Sequence, residues 1–182
     1  MTLGVAVVKE GEHSWKGLLD IRCQGLVLRG DVPEIPAAKP GLEESAPLRC
    51  PKVFGRWHFA DGEGTIQSLE LSNRDEGVCI EQGVLSISGG KWRIEDCLVR
   101  CSATAKGKGE QDDKQRQGKH PFTGFDVALH SSGGELALQK CRIGGFGSMR
   151  TAYHSIYITK NGKVAVEDSI LCNCHGTAVE VS

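Results

Sequence analysis

The chain has 182 residues, and its 22 Lys and Arg residues nearly balance its 23 Asp and Glu residues, which leaves a formal net charge of -1. Such a balance provides no global field to attract nucleic acid or an anionic membrane, so neither is expected as a partner. The length suits one domain with a substantial core, and the 24 glycines indicate many tight turns.

The N-terminal residues 1–9 have no basic leader, and their apolar stretch is too short for a signal peptide. We therefore expect an intracellular protein, in the cytoplasm or the nucleus. Without an export signal, the eight cysteines are expected to be reduced thiols rather than a disulfide framework. Cys172, Cys174 and His175 lie close together, but a structural zinc site usually needs a second ligand pair. No metal and no cofactor is predicted.

Short runs of alternating apolar and polar residues recur along the chain, each bounded by Gly, Asn, Asp or Ser. Alternation of this kind predicts strands, and a helical period is nearly absent, so the expected class is all-β. In chain order the runs include residues 19–21, 26–28, 69–71, 85–87, 136–138 and 164–166. The hairpin signals Asp61-Gly62 and Asn161-Gly162 keep an antiparallel sandwich as a rival fold.

Two segments interrupt the strand pattern. Residues 31–52 contain five of the six prolines and predict a long, extended excursion. Residues 102–121 are polar and Gly-rich and cannot bury a core, so they predict a mobile loop inserted between strands. No further boundary is visible, and residues 1–182 are interpreted as one domain.

An internal repeat begins at Gly90, Gly134 and Gly162 and aligns without gaps. Apolar residues follow each glycine two, four and nine positions later, and a small residue follows at seven. These small residues are Cys97, Cys141 and Ser169. The starts lie 44 and 28 residues apart, a spacing typical of solenoids, and the inserted loop accounts for the longer interval. We expect the three small residues to stack in one inner column, with the pair of residues before each of them turned outward.

A second set of apolar-polar-apolar strands lies between the repeat copies, at residues 127–129, 156–158 and 179–181. The wall of a solenoid requires two residues of each strand to face inward and one to face outward. This alignment predicts an outward column of Ala128, Tyr157 and Glu180. The sequence starts without an amphipathic cap and ends inside an apolar strand, so both ends are expected to be uncapped, as in a fragment.

The recurrent unit Gly-x-apolar-x-apolar-x-x-Cys-x-apolar resembles the repeat of the pectate-lyase-like family. It is most similar to the repeat in the β-helix domains of eukaryotic F-box proteins and of the Shc-binding, spindle-associated protein. Residues 5–30 also look like the first coil of such domains. The resemblance implies a right-handed, single-stranded parallel β-helix. It leaves the function open, because the fold carries polysaccharide lyases, hydrolases and epimerases as well as binding scaffolds.

Candidate site residues are taken from the outward positions of neighbouring strands, together with His154 nearby. A tyrosine ring near acid-base groups could bind a ligand, and the residues concerned are Asp126, His130, His154, Tyr157 and Glu180. A calcium-dependent lyase would need a denser group of carboxylates, since calcium takes six to eight oxygen ligands. No catalytic residue is therefore assigned.

Three hypotheses for the function remain. The first is a non-catalytic scaffold or protein-interaction module within a larger protein, and the third, an inert structural segment, differs little from it. The second is a carbohydrate-active enzyme that uses the outward face of the β-helix. The expected partner is thus a protein or a carbohydrate.

Overall fold

The computed structural model describes residues 4–32, 50–72, 83–100, 127–144, 154–159, 161–172 and 178–182. Within these ranges the regular structure is entirely β and forms one 14-stranded sheet that curls into a half-barrel, which confirms the all-β prediction. The predicted loop at 102–121 and residues 33–49 of the predicted excursion lie outside the described ranges.

The first half of the sheet contains two long strands, each of which bends to contribute to several neighbours. The strands are β1 (Gly4–Val8), β2 (Glu12–Gly30), β3 (Lys52–Gln67), β4 (Glu70–Ser72), β5 (Leu85–Ile87), β6 (Lys91–Glu95), β7 (Leu98–Arg100), β8 (Val127–Ser131), β9 (Glu135–Gln139), β10 (Arg142–Gly144), β11 (His154–Ile158), β12 (Lys163–Glu167), β13 (Ile170–Cys172) and β14 (Val179–Val181).

The strands form three rows, and every pairing between strands of the described chain is parallel. The first row contains residues 12–14 of β2, residues 52–54 of β3, and β4, β7, β10 and β13. The second row contains residues 18–21 of β2, residues 56–59 of β3, and β5, β8, β11 and β14. The third row contains β1, residues 26–29 of β2, residues 63–67 of β3, and β6, β9 and β12. This parallel pairing contradicts the antiparallel sandwich.

The repeat predicted from the sequence coincides with the third row. Strands β6, β9 and β12 pair in register over all five positions, so Lys91, Glu135 and Lys163 lie side by side. The apolar positions two and four residues after the glycines point inward, and Ile94 and Leu138 are 0% and 1% exposed. Alternation of inward and outward side chains therefore follows the predicted pattern.

The inner column of small residues is confirmed at the turn from the third row to the first. Cys97 and Cys141 are buried, and the backbone amide of Cys141 donates a hydrogen bond to Ser169 Oγ at 3.0 Å. The residue directly before each column member has a positive φ, in the left-handed region of backbone conformation, and turns the chain there. This turn explains why the pair of residues before each column member points outward. The positive φ angles are 50° at Asp96, 51° at Lys140 and 46° at Asp168.

Aromatic rings fill the core near its first strands. Trp15 packs edge-on against Trp57, with centroids 4.6 Å apart, and Phe59 contacts Trp92 at 4.5 Å. Towards both ends of the sheet, apolar side chains lie exposed. Val5 in β1 is 61% exposed and Val181 in β14 is 71% exposed.

The register predicted for the outward column of the second row is wrong at β8. Tyr157 pairs with His130, whereas the sequence alignment placed Ala128 beside it. The error is a shift of two residues, and its cause is Ser131, which is 0% exposed and occupies an inward position opposite Ile158. Because a polar residue stands at an inward position, the apolar pattern of residues 127–129 indicated the wrong pairing.

Candidate functional site

One face of the second row carries a continuous series of polar side chains, which we call the outer column. Its members pair in register from strand to strand, and they are Asp20, His58, Ser86, His130, Tyr157 and Glu180. Their neighbours along each strand point the other way, into the core, as Trp57 and Phe59 do on either side of His58. The alternation of these short strands therefore places all six polar groups on one surface.

The predicted site residues gather at one end of the outer column. Three of them form an aromatic cluster, in which the Tyr157 ring lies 5.5 Å from the His130 ring and 5.9 Å from the His154 ring. Glu180 follows Tyr157 on the next strand. Asp126, the fifth predicted residue, lies outside the described residues.

Burial differs within the aromatic cluster. His154 is 5% exposed, whereas His130 and Tyr157 are half-buried and accessible at the surface. His130 Nε2 lies 3.2 Å from Thr159 Oγ1, and the Tyr157 hydroxyl donates to Ser182 Oγ at 3.2 Å. These bonds run diagonally to the next strand and hold both rings in place, so the cluster offers a fixed, amphipathic surface.

Carboxylates are widely spaced along the outer column. The two carboxylates among its six members are Asp20 and Glu180, which lie five strand spacings apart, or roughly 24 Å. Glycoside hydrolases that use two carboxyl groups hold them about 5 to 9.5 Å apart. The outer column thus does not supply that pair of groups.

Metal binding finds no support in the described part of the chain. No group of three or more His, Cys, Asp or Glu side chains there is arranged to hold an ion. The segment that contains Cys174 and His175 lies outside the described residues.

Four cysteines in the described ranges, Cys23, Cys50, Cys97 and Cys141, are free thiols. Burial raises the pKa of the Cys97 and Cys141 thiols. It also raises the pKa of Cys50, where the nearby Glu70 carboxylate adds to the effect. Since the thiolate is the reactive form, burial disfavours nucleophilic chemistry at these three cysteines.

A second polar group, which sequence reasoning missed, lies at the opposite end of the outer column. His58 Nδ1 is 3.1 Å from Asp20 Oδ1, and His58 Nε2 is 2.9 Å from Ser88 Oγ. The signal was present in the sequence, because Leu19-Asp20-Ile21, Trp57-His58-Phe59 and Leu85-Ser86-Ile87 share one apolar-polar-apolar pattern. Aligning these early strands would have brought Asp20 beside His58.

The outward surface of the third row differs in character. A shallow groove of about 440 Å³ crosses it over the small side chains of Ala137 and Ala165. The Glu135 carboxylate lies between two lysines, 3.9 Å from Lys91 and 3.2 Å from Lys163. Exposed ion pairs of this kind contribute little to stability. Positions on this surface can therefore serve as controls for substitutions in the outer column.

In comparisons with known proteins, no family model, curated protein or solved structure matches the chain. Among the residues that the structure describes, no helix has the length and apolar character needed to cross a lipid bilayer.

Proposed function

We propose that the chain is a right-handed parallel β-helix of the pectate-lyase-like kind. Support comes from the order of the pairings, in which the chain visits the first, second and third rows in turn and then returns to the first. Long crossovers between parallel strands are right-handed in nearly all proteins, which favours that hand here. The stacking of Cys97, Cys141 and Ser169 in one column is the behaviour that such a solenoid requires.

We infer that this β-helix is a protein-interaction module within a larger intracellular protein, and that its contact surface is centred on Tyr157. The observation that carries the proposal is the half-exposed Tyr157 ring between the His130 and His154 rings. Tyrosine is enriched in protein interfaces because it combines a large apolar ring with a polar hydroxyl group. The flat sheet around it also suits a broad contact, with Glu180 as a charged neighbour.

Binding fits the outer column better than cleavage of a polysaccharide does. Contact with a partner tolerates small displacements, whereas chemistry on a glycosidic bond needs two closely placed carboxyl groups. Asp20 and Glu180, the two carboxylates of the outer column, lie too far apart to serve as that pair.

Site-specific photo-crosslinking tests this proposal. A photoreactive phenylalanine analogue would replace Tyr157 in one form of the chain and Lys163 of the third row in a matched control. Each form would be expressed in cells and irradiated, and the crosslinked proteins would be identified by mass spectrometry. We expect a defined protein to be captured from position 157 and not from position 163. A Glu180→Lys substitution in the same chain should reduce its capture, because it reverses a charge beside the anchor.

Identical products from positions 157 and 163, or none from either, would contradict the protein-interaction role. Retention of the wild-type chain on immobilised polygalacturonate or alginate, lost in Tyr157→Ala, would favour the carbohydrate alternative instead.

A further inference from the structure

An ion-pair contact and a hydrogen bond link three residues at the Asp20 end of the outer column. Asp20 Oδ1 lies 3.1 Å from His58 Nδ1, and His58 Nε2 lies 2.9 Å from Ser88 Oγ. The two ring nitrogens thus have different partners, a carboxylate on one side and a hydroxyl group on the other. In serine hydrolases a carboxylate lies beside one imidazole nitrogen in this way, and the other nitrogen accepts the proton of the serine nucleophile.

Each member of this group is held by further contacts. The second oxygen of Asp20 accepts a hydrogen bond from Arg22 Nε at 3.0 Å, so both carboxylate oxygens have partners. His58 is fixed because the residues on either side of it, Trp57 and Phe59, are 4% and 1% exposed. The backbone amide of Ser88 donates to Phe59 O at 2.9 Å. A rigid strand scaffold therefore sets the geometry of the reacting groups.

The same row provides an internal comparison. His130 lies 3.2 Å from the Thr159 hydroxyl in the same diagonal arrangement, so contact between an imidazole and a hydroxyl group follows from the strand register alone. The residue that pairs with His130 on the preceding strand is Ser86, whereas His58 pairs there with Asp20. The carboxylate distinguishes the His58 group from a merely structural contact.

We propose that Ser88 and His58, positioned by Asp20, hydrolyse carboxylic esters. Ser88 Oγ attacks the carbonyl carbon, and its proton passes to His58 Nε2. The ester C–O bond then breaks, and the departing alcohol takes that proton, which leaves an acyl group on Ser88. A water molecule, deprotonated by His58, attacks the acyl carbon, and the carboxylic acid leaves as Ser88 recovers its proton.

The surroundings of Ser88 indicate the class of substrate. Ser88 is exposed, so a bulky ester can reach its hydroxyl group. Gly89 and Gly90 follow directly, and their amide groups are candidate donors to the oxyanion. A side chain at Gly89 would meet Ala60 O at 2.3 Å, so this backbone stays bare beside the nucleophile. Esters are favoured over amides because an alcohol departs from the tetrahedral intermediate more readily than an amine does.

Two assays on the full chain test the proposal. A fluorophosphonate probe reports a nucleophilic serine, because Oγ displaces fluoride from phosphorus and the labelled peptide can be identified by mass spectrometry. Hydrolysis of p-nitrophenyl acetate reports turnover. The matched control is Ser132→Ala, since Ser132 holds the equivalent place on the next strand, where its amide donates to Ile87 O at 2.8 Å.

We expect the wild-type chain and Ser132→Ala to be labelled, with the probe on Ser88 in both. Ser88→Ala, an exposed substitution that leaves the core intact, should lose labelling and at least about 10³-fold of the turnover. His58→Gln should behave in the same way. Asp20→Asn should lower kcat by at least about 10²-fold with KM unchanged, an effect that loss of a surface contact would not produce.

Absence of labelling in the folded wild-type chain would overturn the proposal, as would turnover that persists in Ser88→Ala. The inference goes beyond the proposed binding role, and the two are tested at different residues. Failure of crosslinking at Tyr157 leaves the Ser88 assay unaffected, and failure at Ser88 leaves the binding proposal unaffected.

Discussion

The backbone amide of Cys141 donates a hydrogen bond to Ser169 Oγ, 3.0 Å away, and this contact joins two successive turns of the inner column. Each member of the column also donates to the carbonyl two residues before it. The donors and acceptors are Cys97 Sγ to Glu95 O, Cys141 Sγ to Gln139 O and Ser169 Oγ to Glu167 O. Cysteine and serine thus perform the same structural task here.

This equivalence predicts the tolerance of position 141. Cys141→Ser should cost less than about 1.5 kcal/mol of unfolding free energy, because the hydroxyl group can make the bond that Ser169 makes. Cys141→Asp should cost about 3 to 5 kcal/mol, because it buries an unpaired carboxylate at a site that is 3% exposed. Urea denaturation would measure both. Gln139→Asp, on the outward side, should be tolerated, and an equal cost at positions 139 and 141 would mean that the register is wrong.

Close stacking of backbone turns predicts that alanine costs more stability at one glycine than at another. Gly90 has a φ of +78°, and an added Cβ would lie 2.1 Å from Gly62 O on the neighbouring turn. Gly17 has a similar φ of +88° with nothing within 4 Å of its added Cβ. Gly17→Ala should therefore cost only the backbone strain, about 1 to 2 kcal/mol.

Gly90→Ala should cost about 3 kcal/mol or more in the same urea measurement, because the overlap with Gly62 O adds to the strain. Similar losses for the two variants would show that the turns at Gly62 and Gly90 are not stacked.

The buried thiol of Cys97 predicts a dependence of stability on pH. Burial raises the pKa of Cys97 in the folded chain, so the thiol stays protonated there while it ionises in the unfolded chain above about pH 8.5. The contribution of the buried Cys97 thiol to the free energy of unfolding is complete below that pH. As the pH rises further, this contribution is lost by up to about 1.4 kcal/mol per pH unit.

Denaturant melts of the wild type and of Cys97→Ser, recorded between pH 7 and pH 10, isolate this contribution. The wild type should lose more stability than the variant over that interval. Parallel losses would mean that Cys97 is accessible to water.

Much of the fold could be predicted from local pattern, and the exceptions have physical causes. The glycine-led repeat fixed the register of β6 and β9 because each inward position is apolar and each turn needs its glycine. The same reasoning failed at β8, where the inward Ser131 interrupts the apolar pattern.

The candidate site was predicted in part. His130, His154 and Tyr157 were expected near one another from their spacing, and the structure brings their rings together. Asp20 and His58 were missed because more than 30 residues separate their strands in the sequence, although the two strands pair in the sheet. Their shared apolar-polar-apolar pattern becomes informative only when these two strands are aligned with each other.

Both the parallel stack and the outer column depend on the register of the second row, and disulfide trapping measures that register directly. Paired cysteines would be introduced at positions 130 and 157 in one variant and at positions 128 and 157 in another, followed by mild oxidation and peptide mapping. Residues in register on parallel strands lie about 5 Å apart, within the range a disulfide can span, whereas an offset of two residues gives roughly 8 Å. We expect a disulfide between positions 130 and 157 and none between positions 128 and 157. A disulfide in the second variant, or in neither, would contradict this register.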